Sequence, residues 1–94
     1  MTYQEIESTL VSILRKYDVQ KVGIFGSYAR GMQRPDSDLD VLVNFRGTKS
    51  LLTLVRIERE LSESIGVKVD LLTEQSVSPY LIDRIKSELK VIYQ

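Results

Sequence analysis

Apolar residues fall along this chain in two rhythms that take turns. Ile6, Leu10, Ile13, Leu14 and Tyr17 lie three or four apart, the spacing of one helix face. Thr2-Tyr3-Gln4-Glu5 ahead of them has capping-box spacing, so a helix is predicted from there to about Tyr17. After a connector, Asp18 to Lys21, a short apolar run of Val22, Ile24 and Phe25 stops at Gly26-Ser27 and reads as a strand buried on both faces. A polar loop leads to a second strand, Leu39 to Phe45, in which Leu39, Val41 and Val43 face one side and Asp38, Asp40 and Leu42 the other. Arg46 to Lys49 is a polar turn. Thr48 or Ser50 then caps a long helix through Ile65, ended by Gly66, with Leu51, Leu54, Val55, Leu61 and Ile65 as its expected buried stripe. Glu58, Arg59, Glu60 and Glu63 fall largely on its outer faces as solvating charge, with no function assigned. Val67 to Leu72 predicts a third strand. Ser78-Pro79 opens a last helix with Leu81, Ile82, Ile85 and Leu89 as its apolar face, and Val91-Ile92-Tyr93 is a short extended end. The expected fold class is α/β, a small mixed sheet flanked by helices.

The polar loop changes this picture from architecture to chemistry. Alternation along the second strand sets Asp38 and Asp40 on one face, their Cβ atoms roughly 6–7 Å apart. Two carboxylates held together repel, and a hard divalent cation such as Mg²⁺ relieves this. Gly26 lets the backbone approach a phosphate closely, and Ser27 offers a hydroxyl and an amide at a helix start, so a triphosphate fits there. Arg30 has two readings, a cation facing phosphate or a structural partner of a nearby acid, and the structural one is favoured. Ser37 is read as a cap after the Arg34-Pro35-Asp36 turn rather than as a phosphate contact. The loop lacks the G-x-x-x-x-G-K-[ST] and G-x-G-x-x-G patterns, which sets aside P-loop and Rossmann sites, and no EF-hand loop is present.

Composition narrows the chemistry further. Ninety-four residues fit one domain, 1–94, with a single core. Lysine plus arginine balances aspartate plus glutamate at 13 each, so nucleic acid or an anionic membrane is not favoured as a partner. Neither a signal-peptide layout nor an apolar run long enough for a membrane span is evident, and a cytoplasmic location is expected. With neither cysteine nor histidine, thiolate, imidazole and the usual zinc chemistries are closed, leaving carboxylates and oxygen-bound metals. That favours Mg²⁺-assisted phosphoryl or nucleotidyl transfer.

The run G-S-Y-A-R-G, five residues, S-D-L-D and an apolar strand resembles the signature of the polymerase-β-like nucleotidyltransferases, and more narrowly the minimal nucleotidyltransferase (MNT) domains. Gly26, Ser27, Arg30, Gly31, Ser37, Asp38 and Asp40 carry the match. Such domains usually take a third carboxylate from a later strand, and Asp70 stands where it is expected, on the face opposite Val67, Val69 and Leu71. Parallel or mixed pairing would bring it beside Asp38 and Asp40. Lys68 shares its face and is read as screening the acids.

The resemblance implies a Mg²⁺-dependent enzyme that transfers AMP from ATP to a hydroxyl. Asp38 and Asp40 would hold metal against the triphosphate, Asp70 would complete a second metal site or accept the hydroxyl proton, and Gly26 and Ser27, with Arg30 and Ser37 nearby, would cradle the nucleotide. MNT domains often act as antitoxins beside a helical HEPN-domain toxin, in some pairs adenylylating one of its tyrosines, so a toxin of that kind is the expected protein partner. A contact-only antitoxin and an enzyme for small hydroxylated compounds such as aminoglycosides are the rival readings. The chain stops after the minimal fold, from which an open cleft closed by a macromolecule is expected; association with a second copy stays open.

Overall fold

The Thr2 hydroxyl accepts from the Glu5 amide and the Glu5 carboxylate accepts from the Thr2 amide, so the capping box opens helix α1 (Tyr3–Arg15) as its spacing requires. The computed structural model describes residues 1–94. Ile6, Leu10, Ile13 and Leu14 are buried along α1, worth about 6–12 kcal/mol of gross hydrophobic stabilisation before entropy is counted. The helix stops at Arg15, two residues before the expected Tyr17, because a turn through Asp18 at φ 63° swings the chain into strand β1 (Val19–Phe25). The Asp18 carbonyl in turn accepts from the Arg46 amide, which extends the pairing. β1 therefore begins at Val19, within the expected connector, where it pairs with Phe45.

One turn of helix, α2 (Gly26–Ala29), follows, then β2 (Leu39–Phe45), α3 (Leu51–Ile65), β3 (Val69–Thr73), a 3₁₀ turn at Glu74–Ser76, α4 (Pro79–Glu88) and β4 (Lys90–Tyr93). The four strands form one sheet in the order β3-β2-β1-β4. β1 runs antiparallel to both β2 and β4, and β2 runs parallel to β3, so the sheet is mixed, as expected. The extended end thus closes the sheet's far edge.

Helices α1 and α3 cover one face, where Val22, Ile24, Leu39, Val41, Val43 and Val69 join their apolar stripes in a core of 16 buried residues. α4 covers the other face. It buries no residue fully, but Leu89 at its end lies where a Cβ on Gly23 would stand, so the missing side chain is what lets α4 approach β1.

The buried stripe of α3 differs from expectation. Ser50 and Gly66 cap the helix as predicted, Gly66 at φ 85°. Leu61 and Ile65 are buried as expected and Leu54 packs against the core, but Leu51 and Val55 are 77% and 52% exposed, and Ile57, absent from the expected stripe, is fully buried. Leu51 and Val55 instead line a groove beside Leu71, Leu72 and Thr73 of β3. Two of the outer acids also bind the fold. Glu60 accepts from the Lys16 ammonium and the Tyr17 hydroxyl, each at 2.6 Å, tying the end of α1 to α3. Glu58 Oε2 accepts from the Leu71 amide at 2.8 Å, and Ser62 Oγ from the Val69 amide at 3.0 Å. Those two amides lie along β3, the sheet's edge strand, and side-chain acceptors blunt their tendency to pair with another chain. No helix is long and apolar enough to cross a membrane.

Candidate active site

Parallel pairing of β2 with β3 sets residue against residue, Leu39 with Val69, Asp40 with Asp70 and Val41 with Leu71. Two carboxylates thereby face one another across neighbouring strands on the α4 side of the sheet, with Asp38 just ahead of β2. The pairing is locked at its start by a bond from the Leu39 amide to the Lys68 carbonyl. β3 starts at Val69 rather than Val67, and this leaves Lys68 at the strand's mouth. Its ammonium lies 3.8 Å from Asp38 Oδ2 and 4.0 Å from Asp70 Oδ1, the screening position expected of it, although it is 71% exposed and each contact is weak.

Crowding marks the carboxylates electrostatically. Burial, then repulsion from Asp70 and Asp38, pushes the Asp40 carboxyl above its ordinary range, and the Arg30 charge only partly offsets this. Asp70 is pushed the same way, again first by burial, with Lys68 opposing and Asp38 adding. Pairs of acids that penalise one another in the folded state mark places that attract a cation.

The loop between β1 and β2 meets these acids at one point. Gly26 has φ 72°, and a Cβ there would overlap Asp40 Oδ2. Glycine is thus required twice, for the turn and for the approach of the carboxylate. Ser27 follows on the first turn of α2. Tyr28 is buried and anchors that turn in the core. Ser37 closes the turn around Pro35, the capping position expected of it: its hydroxyl accepts from the Arg34 amide at 2.8 Å and its own amide donates to the Arg34 carbonyl at 2.9 Å. Arg30 takes its structural role with a partner the sequence did not suggest, Glu88, whose Oε2 lies 3.0 Å from the guanidinium. Glu88 is 58 residues away and carries no local motif, so only the packing of α4 reveals it.

Asp38, Asp40 and Asp70 share one region with Gly26 and Ser27 behind them. No three acidic, histidine or cysteine side chains converge closely enough to hold a metal ion by themselves.

The fold carries a carboxylate pair on β2 and β3 beside a glycine-serine turn, and comparison with known proteins gives its class. Residues 7–92 match the nucleotidyltransferase domain, and the chain belongs to that family. Among its relatives, a Methanocaldococcus jannaschii protein named "Putative protein adenylyltransferase MJ0435" is 49% identical over 88 residues, covering 94% of this chain and 95% of that protein. The Thermococcus cleftensis protein adenylyltransferase MntA is 38% identical over 81 residues, covering 82% of each chain. Among solved structures, a crystal structure of a toxin-antitoxin with AMP-PNP superposes with a TM-score of 0.86 at 26% identity, covering 93% of this chain and 72% of that one.

Proposed function

We propose that this chain is a Mg²⁺-dependent protein adenylyltransferase that moves AMP from ATP to a tyrosine hydroxyl on a toxin partner of the HEPN type, and so acts as an antitoxin. The observation that carries this reading is the register placing Asp40 opposite Asp70, with Gly26 directly against Asp40. Relatives named protein adenylyltransferase, and the likeness to a toxin-antitoxin structure with AMP-PNP, support the donor and the class of partner. Use of ATP as donor fits a cytoplasmic protein.

The donor set suits Mg²⁺. It is all oxygen and crowded with negative charge, and it already draws the Lys68 ammonium towards Asp38 and Asp70. Asp38 and Asp40 would hold the ion, with phosphate oxygens completing a shell that three side chains do not close. When bound, the metal neutralises the triphosphate and activates the attacking oxygen. The chain's own residues do the rest. The Gly26–Ser27 turn holds the phosphates, with the Ser27 amide and hydroxyl to complement anionic oxygen. The acceptor hydroxyl attacks the α-phosphorus, the bond to pyrophosphate breaks, and the proton passes to Asp70, which the register sets opposite Asp40.

The test is incubation of the chain with Mg·ATP and a co-expressed HEPN-type partner, followed by intact-mass measurement of both. The expected outcome is a partner heavier by whole AMP residues. Asp70→Asn should keep Mg·ATP binding by calorimetry and lose transfer. Neutralisation of the toxin with no mass gain would leave a contact-only antitoxin, and transfer to an aminoglycoside in place of the partner would make it a small-molecule enzyme; either result overturns the proposal.

A further inference from the structure

Helix α2 is a single turn whose preceding residue, Phe25, offers no side-chain cap. Its first amide is nonetheless satisfied. Glu88, the last residue of α4, reaches across 62 positions of sequence to accept from the Gly26 amide through Oε1 at 3.2 Å. Its other oxygen takes the Arg30 guanidinium at 3.0 Å, and Arg30 is the residue that ends the same turn. One carboxylate thus spans α2 from its first residue to its C-cap. The ion pair is exposed, 49% and 30% at its two side chains, and contributes little by itself. The amide bond matters more, because a carboxylate on a free helix amide is both a cap and a favourable charge for the exposed dipole.

From this arrangement we infer that Glu88 is a positioning residue for the nucleotide site, acting through Gly26 on Asp40. Gly26 has no room for a Cβ against Asp40 Oδ2, so the place of its Cα determines where that carboxylate can rest. A brace on the Gly26 amide therefore sets the distance between the phosphate-holding turn and the carboxylates of β2 and β3. The brace comes from an element that is itself lightly held, since α4 buries no residue fully, and Leu89 next to Glu88 docks on Gly23 of β1. Glu88 thus couples the seating of α4 on the sheet to the geometry of the site. This inference rests on the proposed nucleotide site only for its consequence; the brace itself is a property of the free protein.

Two variants and two measurements test it. Glu88→Gln keeps an oxygen for the Gly26 amide but presents an amide group to Arg30, whereas Glu88→Ala removes both contacts. In the free protein, amide exchange at Gly26 and Arg30 should rise about tenfold in Glu88→Ala, the loss of one hydrogen bond of ordinary strength. The β1 and β2 amides should keep their protection, and Glu88→Gln should stay within about threefold of wild type. Calorimetry with Mg·AMP-PNP should show about fivefold to tenfold weaker binding for Glu88→Ala and near-normal binding for Glu88→Gln. Unchanged exchange in Glu88→Ala would overturn the brace. Tighter nucleotide binding in that variant would overturn the positioning role and make Glu88 a competitor for the phosphates. Equal loss in both variants would overturn the role of the amide contact in favour of the ion pair. If the wild type bound no Mg·AMP-PNP while the exchange results held, the brace would stand and the nucleotide-site reading would fall.

Discussion

Gly26→Ala separates backbone strain from loss of the site, because the two effects have different locations in this fold. An alanine at φ 72° costs about 1–2 kcal/mol in the left-handed region. For a domain of this size that lowers the melting temperature by about 4 to 16 °C. The second effect is local. The new Cβ overlaps Asp40 Oδ2, and the carboxylate, being the far end of a short side chain, moves away by on the order of 1 Å instead of unfolding its surroundings. A shift of that size in a group that must meet metal and phosphate together costs about a hundredfold in rate. Gly47→Ala is the matched comparison. Gly47 has nearly the same φ, 76°, with open space where a Cβ would stand, so it carries the strain without touching the site. Thermal melts should therefore show similar losses in the two variants, while transfer of AMP to the partner, followed by intact mass, should fall about a hundredfold in Gly26→Ala and stay within about twofold in Gly47→Ala. Near-normal transfer by Gly26→Ala, or equal loss in both, would refute the placement of Asp40 against the turn.

Asp40→Asn should abolish Mg²⁺-dependent transfer while leaving the free protein at least as stable as wild type at neutral pH, since one of several crowded like charges is gone. The pH dependence follows with a definite sign. Asp40 and Asp70 have folded-state pKa values raised above the ordinary 3.8, so the folded protein binds more protons than the unfolded one in that window, and these groups lower stability as pH rises through it. Denaturation of wild type and Asp40→Asn from pH 3.5 upward should show the variant gaining on wild type with rising pH; Glu5 and Glu60, whose pKa values are lowered, act equally in both and cancel in the difference. A gap that narrows as pH rises would contradict the crowding. On α3, Ile57→Ala should cost about 2–5 kcal/mol by denaturant unfolding, as for a fully buried aliphatic side chain, whereas Leu51→Ala should stay within about 0.5 kcal/mol because Leu51 is largely in solvent.

Local patterns in the sequence carried the helix starts, the helix end at Gly66 and the alternation of β2, because each depends on residues within a few positions of one another. The capping box at Thr2, Ser50 and Ser78 as N-caps and the left-handed Gly66 all formed as their spacing required. The candidate chemistry was legible for the same reason in Gly26, Ser27, Asp38 and Asp40, which sit in one strand-loop-strand run, whereas Asp70 was marked by the resemblance to the MNT domains. Tertiary structure decided what depends on partners far along the chain. The Asp40–Asp70 pairing needed a parallel register, which no property of β3 alone selects. The inward face of α3 was settled by its packing against α1 and the sheet, so Ile57 is buried and Leu51 is not. Glu58 and Glu60 look like solvating charge in sequence and become partners of a strand amide and of α1 only when the layers meet. Glu88 is the furthest case: a carboxylate at the end of α4 finds the Gly26 amide because Gly23 leaves room for Leu89 on β1, and that contact exists only once the whole sheet is assembled.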